Sequence, residues 1–154
     1  MRVGHHPFES AVEPRMWVQP EQGLVMALRP GWVESGQSRS EMKKINVEAG
    51  EMGVWGRRPL KKWDGAHVER LILTISDTAL IGASEGRVGD VELRGEHKLV
   101  DARLSALVAA VNAERVAGFP SGRLFLDSIE QTIAVAPVNN YAFRRHHRGY
   151  IEAG

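Results

Sequence analysis

Histidine side chains are the first candidates for chemistry, because imidazole binds transition metals and transfers protons near neutral pH. A metal site built on one strand requires two histidines in a His-x-His pattern, and the sequence contains no such pattern. We therefore predict no metal site. We interpret His67 as a solvated turn residue, and the adjacent pairs His5-His6 and His146-His147 as solvated groups near the two ends of the chain.

Nucleophilic residues give no catalytic pattern either. The chain has no cysteine, which excludes disulfides, thiolate metal ligands and cysteine nucleophiles. It has no G-x-S-x-G nucleophile turn, and neither of the two common glycine-rich phosphate-binding patterns occurs. We expect no catalytic residues and no cofactor, and we predict that the protein is not an enzyme.

Tryptophan is concentrated in the first half of the chain and suggests a ligand pocket there. Trp55 and Arg57 would share one face of a strand, opposite Met52 and Val54. A largely apolar pocket with a few polar groups is a common small-molecule site. The candidate pocket residues are Trp17, Trp32, Trp55 and Arg57. The alternative is that the rings form only the core and rim of a small sheet.

The charge balance argues against DNA binding by the chain as a whole. There are 20 Lys+Arg and 19 Asp+Glu residues, which gives a net charge of +1, whereas nucleic-acid binders normally carry a clear basic excess. We interpret the basic cluster Arg144–Arg148 as a solvated tail, with contact to DNA phosphates as the alternative.

Nothing in the sequence indicates a membrane or secreted protein. No apolar stretch approaches the roughly 20 residues that span a bilayer. The N-terminal residues lack an apolar segment followed by a small-residue cleavage site, so they do not resemble a secretory signal. We expect a cytoplasmic protein with no membrane partner.

The first half of the chain is predicted to consist of short antiparallel strands, because short apolar stretches alternate with Gly and Pro. In the clearest strand, Leu71, Leu73 and Ile75 share one face, while Ile72 and Thr74 share the other. A short helical turn follows. The predicted strands are Arg15–Val18, Leu24–Leu28, Trp32–Gln37, Met42–Glu48, Met52–Arg57 and Val68–Ile75.

The second half has the period of helices. Asp101 is predicted to cap a helix that ends at Gly118 and Pro120. A second helix follows Ser121, and Pro137 is expected to end or kink it near Ala136. The apolar stripe of the first helix, at spacing i, i+3, i+4, i+7, comprises Leu104, Leu107, Val108 and Val111.

Strands followed by helices predict an α+β fold. We expect one domain over residues 1–154, with a strand-rich barrel at about 12–93, an antiparallel helix pair at about 99–136 and a basic tail at 144–154. A helix pair this small must pack on the sheet, on a partner chain, or on both. The apolar stripe therefore has two open interpretations, as a seam between two chains or as a contact with the chain's own barrel.

The segment Val100–Glu114 resembles a stretch of AraC-type transcription regulators, in which an aspartate opens a helix of the pattern D-x-x-L-x-x-L-x-x-A-x-x-x-E. Asp101, Leu104, Leu107, Ala110 and Glu114 match that pattern. The following segment Gly118–Ile129 is similar to the glycine-linked turn into the second helix of that family, and Tyr141 is similar to its end. The resemblance is good over about residues 92–141 and weaker over the strands, where Ala49-Gly50-Glu51 looks like a cupin-like turn.

The resemblance implies a cupin-like β-barrel or jelly roll that senses a small-molecule effector, and a helix pair that forms a homodimer. In that family a DNA-binding pair of helix-turn-helix motifs follows, and we expect it to be absent here because the sequence ends at Gly154. Pairing with a full-length regulator is a further possibility that the resemblance raises. The alternative reading is a small cupin-fold enzyme or a small-molecule binding protein.

Overall fold

The computed structural model describes residues 1–7, 12–19, 21–85 and 91–142, and it describes only the backbone of residues 12–19 and 58–64. Strands come first and the two long helices last, as the sequence predicts. In chain order the elements are β1 (Arg2–His6), β2 (Val12–Gln19), β3 (Gln22–Ala27), β4 (Gly31–Gly36), β5 (Lys43–Val47), β6 (Met52–Trp55), β7 (Arg58–His67), β8 (Arg70–Ile75), α1 (Asp77–Ala83), β9 (Glu96–Leu99), α2 (Ala102–Val116) and α3 (Gly122–Tyr141).

The strands form two antiparallel sheets, and the α+β class is confirmed. One sheet has the order β1-β8-β3-β6-β9 and the other β2-β7-β4-β5. The strands pair as in one long hairpin, in the order β1–β8, β2–β7, β3–β6 and β4–β5. Successive pairs alternate between the two sheets. In the described part of the chain no strand pairing joins the two sheets, so these strands do not close a barrel.

The five-stranded sheet has two different faces, and β8 displays both. Leu71, Leu73 and Ile75 are buried in the main hydrophobic core, at 0 to 3% exposure, together with residues of all three helices. Ile72 and Thr74 point the opposite way, into the space between the sheets. The alternation predicted for this strand is confirmed. The helices therefore cover the outer face of the sheet, and the inner face remains for a cavity.

The predicted starts of the helices are well supported for α1 and α2. The Ser76 side chain accepts a hydrogen bond from the backbone N–H of Ala79 at 3.2 Å, and Asp101 Oδ1 accepts one from the N–H of Leu104 at 2.8 Å. Such side-chain caps satisfy backbone donors that have no partner within the helix. Gly118, at φ +81°, then turns the chain after α2, because glycine adopts this left-handed conformation without strain.

The prediction that Pro137 ends or kinks the second helix near Ala136 is wrong in its first part, because α3 continues through Pro137 to Tyr141. Proline in a helix removes one backbone hydrogen bond and crowds the preceding turn. Here Pro137 is fully buried. Burial of the ring therefore contributes hydrophobic stabilisation that offsets the missing hydrogen bond.

Three strands were not predicted, and each has a composition that conceals it. Three of the five residues of β1 are glycine or histidine, so this strand has no apolar alternation. His5 is exposed, as the solvated interpretation predicts, whereas His6 is half-buried and does not fit that interpretation. β7 contains Pro59 and Asp64-Gly65, which are turn signals in sequence. β9 is mostly polar because it is a sheet edge.

Candidate functional site

A cavity of about 410 Å³ lies between the two sheets. This volume is within the range of roughly 300–1,000 Å³ that is typical of small-molecule sites. Its apolar wall comes from residues of both layers, and polar side chains of both sheets also line it. The apolar lining comprises Val25, Ala27, Val33, Val47, Met52, Val54, Ala66, Val68 and Ile72.

The cavity exists because small residues occupy positions that would otherwise fill the space. On β6, alternation brings Gly53 and Trp55 to the inner face, in line with Glu51 just before the strand. Gly53 has no side chain, and Gly65 of β7 lines the opposite wall. The sheets touch elsewhere through a small cluster that includes Ala27 and Ala66. Contact is thus limited to part of the interface between the sheets.

Trp55 is held at the inner face by its pairing with Gly23 of β3. A Cβ atom at Gly23 would be 3.1 Å from Trp55 Cζ2 and only 1.8 Å from the carbonyl oxygen of Leu73, so glycine is required there. The Trp55 Nε1 atom is buried and has no hydrogen-bond partner within the described part of the chain. A buried indole N–H without a partner is destabilising, and a bound acceptor would relieve that cost.

Glu51 provides a second buried polar atom in the same cavity. Its Oε2 atom is inaccessible to solvent and, among the described residues, has no hydrogen-bond partner. Glu51 and Trp55 are four residues apart along one strand, so their Cα atoms are about 13 Å apart. The cavity thus has an acceptor toward one end of β6 and a donor at the other.

The charged groups around the cavity lie mostly at its rim. Arg2 pairs with Glu21, and the Arg2 side chain is 69% exposed. His6 also lines the cavity, and burial lowers its pKa below the ordinary value of 6.5, with further lowering by the charges of Arg70 and His5. His6 is consequently a neutral imidazole at neutral pH and contributes hydrogen bonding, not charge.

Of the predicted pocket residues, only Trp55 has a described side chain in the cavity. Trp32 does not line it: the ring stacks on His67 at a centroid distance of 3.8 Å, and Lys44 Nζ lies 4.5 Å from the ring centroid. The neighbouring Val33 does line the cavity, so alternation turns Trp32 away from it. His67 lies at the end of β7 and stacks on Trp32, so the prediction that it is a solvated turn residue is wrong.

Arg57 is likewise outside the cavity, because β6 ends at Trp55 and the predicted alternation no longer applies beyond it. The guanidinium of Arg57 instead donates to Asp77 Oδ1 at 2.9 Å, at the start of α1. The side chain of Trp17 lies outside the described part of the structure, as does the predicted basic tail from residue 144 onward.

The apolar stripe of α2 packs on the chain's own sheet. Leu104, Val108 and Val111 are 0 to 1% exposed and belong to the main core, and Leu107 packs against it. Of the two open interpretations, the contact with the protein's own strands therefore applies to these residues. The buried side chains of Leu104, Val108 and Val111 are therefore not available to a second chain, whereas the assignment of the partly buried Leu107 to a seam between chains stays a prediction.

Among the cavity residues that sequence reasoning missed are Glu51 and His6. Glu51 had a usable signal, since it follows the same period of two as Gly53 and Trp55. His6 had none, because β1 was not predicted. Among the described residues, no group of three or more His, Asp or Glu side chains comes together in a way that could hold a metal ion.

Comparison with known proteins gives no match to any protein-family model and none to a curated protein. None of the helices in the described ranges is long and apolar enough to cross a membrane.

Proposed function

We propose that the protein is a small-molecule sensing domain whose ligand binds between the two sheets. The observation that supports this proposal is a cavity of ligand size that is lined by Glu51 and Trp55, each of which carries a buried polar atom without a described partner, Oε2 and Nε1 respectively. Native structures rarely leave buried polar groups unpaired, and a ligand is one way to pair them. The proposed role is binding, without turnover.

We further propose that the strands form a cupin-like jelly roll and that the chain is the sensory part of an AraC-type regulator. The hairpin-like pairing of β1–β8 through β4–β5, split between two layers, is what a jelly roll requires. The resemblance over residues 92–141 supports the regulator assignment. It falls on α2 and α3, which follow the sheets as that assignment expects.

Self-association in this proposal uses the exposed face of α2, because the opposite face is buried in the core. Alanines recur on that exposed face, and Val116 at the end of the helix is 71% exposed. Small side chains allow two helices to approach closely. The residues of this surface, which we call the alanine face, are Ala102, Ala106, Ala109, Ala110, Ala113 and Val116.

Binding of the neutral fluorophore N-phenyl-1-naphthylamine tests the proposed site. We expect saturable fluorescence enhancement with the natural protein. Val25→Phe should abolish it, because the larger ring fills the middle of the cavity from the inner face of β3. Val100→Phe is the matched control, since it makes the same change at a position that is 99% exposed and outside the alanine face.

A Val25→Phe variant that keeps its circular dichroism and still binds the fluorophore would contradict the proposal. Ile72→Phe is a second cavity-filling change on a different strand, for use if Val25→Phe does not fold. Loss of binding in the folded variant, with binding retained in Val100→Phe, would support the inter-sheet site.

A further inference from the structure

The two unpaired buried atoms have opposite hydrogen-bonding roles, which restricts the chemistry of the ligand. A carboxylate oxygen only accepts hydrogen bonds, and an indole N–H only donates them. Along β6, the residues between Glu51 and Trp55 that line the cavity are Met52, Gly53 and Val54, which are apolar or glycine. A complementary molecule therefore has a donor at one end, an acceptor at the other and an apolar body between them.

The donor end is best matched by a cation. Glu51 forms no ion pair with any described residue, and its inner oxygen is excluded from solvent. A buried carboxylate is strongly destabilising unless it is paired with charge and hydrogen-bonded. The described cations that line the cavity, Arg2, Arg70 and Lys98, donate no hydrogen bond to this oxygen, and Arg2 is paired with Glu21. The lowered pKa of His6 leaves that side chain neutral.

We infer that the cavity binds an elongated amphiphile with an ammonium group at Glu51 and an oxygen acceptor at Trp55. This inference rests on the proposed binding function and specifies its ligand class. The Cα separation of about 13 Å along β6 sets the scale of the molecule. An aliphatic amino alcohol of about eight carbons has the required groups and a comparable length.

Calorimetric titration with four matched probes tests the ligand class. The probes are 8-amino-1-octanol, octylamine, 1-octanol and octanoate. Hydrogen bonds to a charged group are stronger than neutral ones, so 8-amino-1-octanol should bind at least about tenfold more tightly than 1-octanol. Octanoate should bind more weakly still, because its carboxylate is repelled by Glu51. This comparison uses only the natural protein.

Two variants test which cavity residue is responsible for the preferred binding of each end of 8-amino-1-octanol. Glu51→Gln should remove most of the tenfold preference for the amine, and Glu48→Gln, a change at an exposed glutamate three residues away, should not. Trp55→Phe should weaken the binding of 8-amino-1-octanol several-fold and leave the binding of octylamine unchanged. Octylamine has no oxygen that could accept a hydrogen bond from Nε1. Trp32→Phe is the control for loss of an indole outside the cavity.

Equal or tighter binding of 1-octanol or octanoate would overturn the ligand class, and so would a preference that survives Glu51→Gln. If N-phenyl-1-naphthylamine still binds in a manner sensitive to Val25→Phe, the proposed function stands while the ligand class falls. If the fluorophore and all four probes fail to bind, both are wrong.

Discussion

The N-terminal ammonium of Met1 donates a hydrogen bond to Glu130 Oε2 at 2.7 Å, and both groups are almost completely removed from solvent. The second oxygen of the same carboxylate accepts from the backbone N–H of Ser76 at 2.7 Å. Glu130 therefore connects α3 with the beginning of β1 and the N-terminal cap of α1. One buried side chain joins three parts of the chain that are far apart in sequence.

Replacement of Glu130 should be strongly destabilising. Glu130→Gln keeps an acceptor for Ser76 but loses the charge opposite Met1, and we expect a loss of about 2–3 kcal/mol in the free energy of unfolding. Asp127→Asn is the control on the same helix. Its partner Arg123 is 3.8 Å away and highly exposed, so its effect should stay below about 1 kcal/mol. Chemical denaturation measures both, and equal effects would contradict the assigned role of Glu130.

The stability should also fall in acid through the same residue. Burial acts to raise the pKa of Glu130, but hydrogen bonds from Met1 and Ser76 outweigh it and leave the pKa below 4.5. The stabilisation is therefore complete above pH 4.5 and is lost as the pH falls through the folded-state pKa. Thermal unfolding at a series of pH values should show a steeper acid limb for the natural protein than for Glu130→Gln. Parallel acid limbs would contradict the prediction.

A second buried polar link, formed by Gln22, should be equally sensitive to substitution. The Gln22 side chain is 1% exposed, accepts from the N–H of Leu93 at 2.6 Å and donates to the carbonyl of Val91 at 2.7 Å. Gln22→Leu leaves both backbone groups without partners, so we expect a loss of about 2–4 kcal/mol. Gln37→Leu makes the same change at an exposed position and should be close to neutral. Comparable unfolding midpoints for the two variants would show that the link contributes little.

Aspartate substitutions on α2 should separate folding from self-association. Leu104→Asp places a charge in the core and should unfold the protein, because Leu104 is 1% exposed. Ala106→Asp lies on the alanine face and should leave the fold intact. In sedimentation velocity we expect a dimer for the natural chain and a monomer for Ala106→Asp. A natural chain that is monomeric, or an Ala106→Asp dimer, would exclude association through this face.

Much of the framework was predictable because local patterns determined it. The period of two in β8 and the cap Asp101 are properties of neighbouring residues, and each is found where the sequence indicates. The apolar stripe of α2 was also visible, but not which surface would cover it. A stripe records that a face is buried, and the covering surface depends on tertiary packing.

The site was harder to predict because it depends on where strands end and which face points inward. Arg57 was placed with Trp55 by alternation, yet β6 ends before it. Trp32 was chosen for its residue type, although its strand turns the ring outward onto His67. Glu51 shares the period of two with Gly53 and Trp55, but it was not selected because a glutamate beside a turn resembles a solvated residue.

The alternation of β8 implies a mutational profile with a period of two. A complete single-residue scan of this strand should lower the melting temperature at Leu71, Leu73 and Ile75, which pack against the helices. Changes at Ile72 and Thr74, on the cavity side, should affect binding with much less effect on melting. Ligand preference and folding stability thus depend on alternate residues of β8. Over evolution, the residues that determine ligand preference can change while the residues that determine stability are conserved.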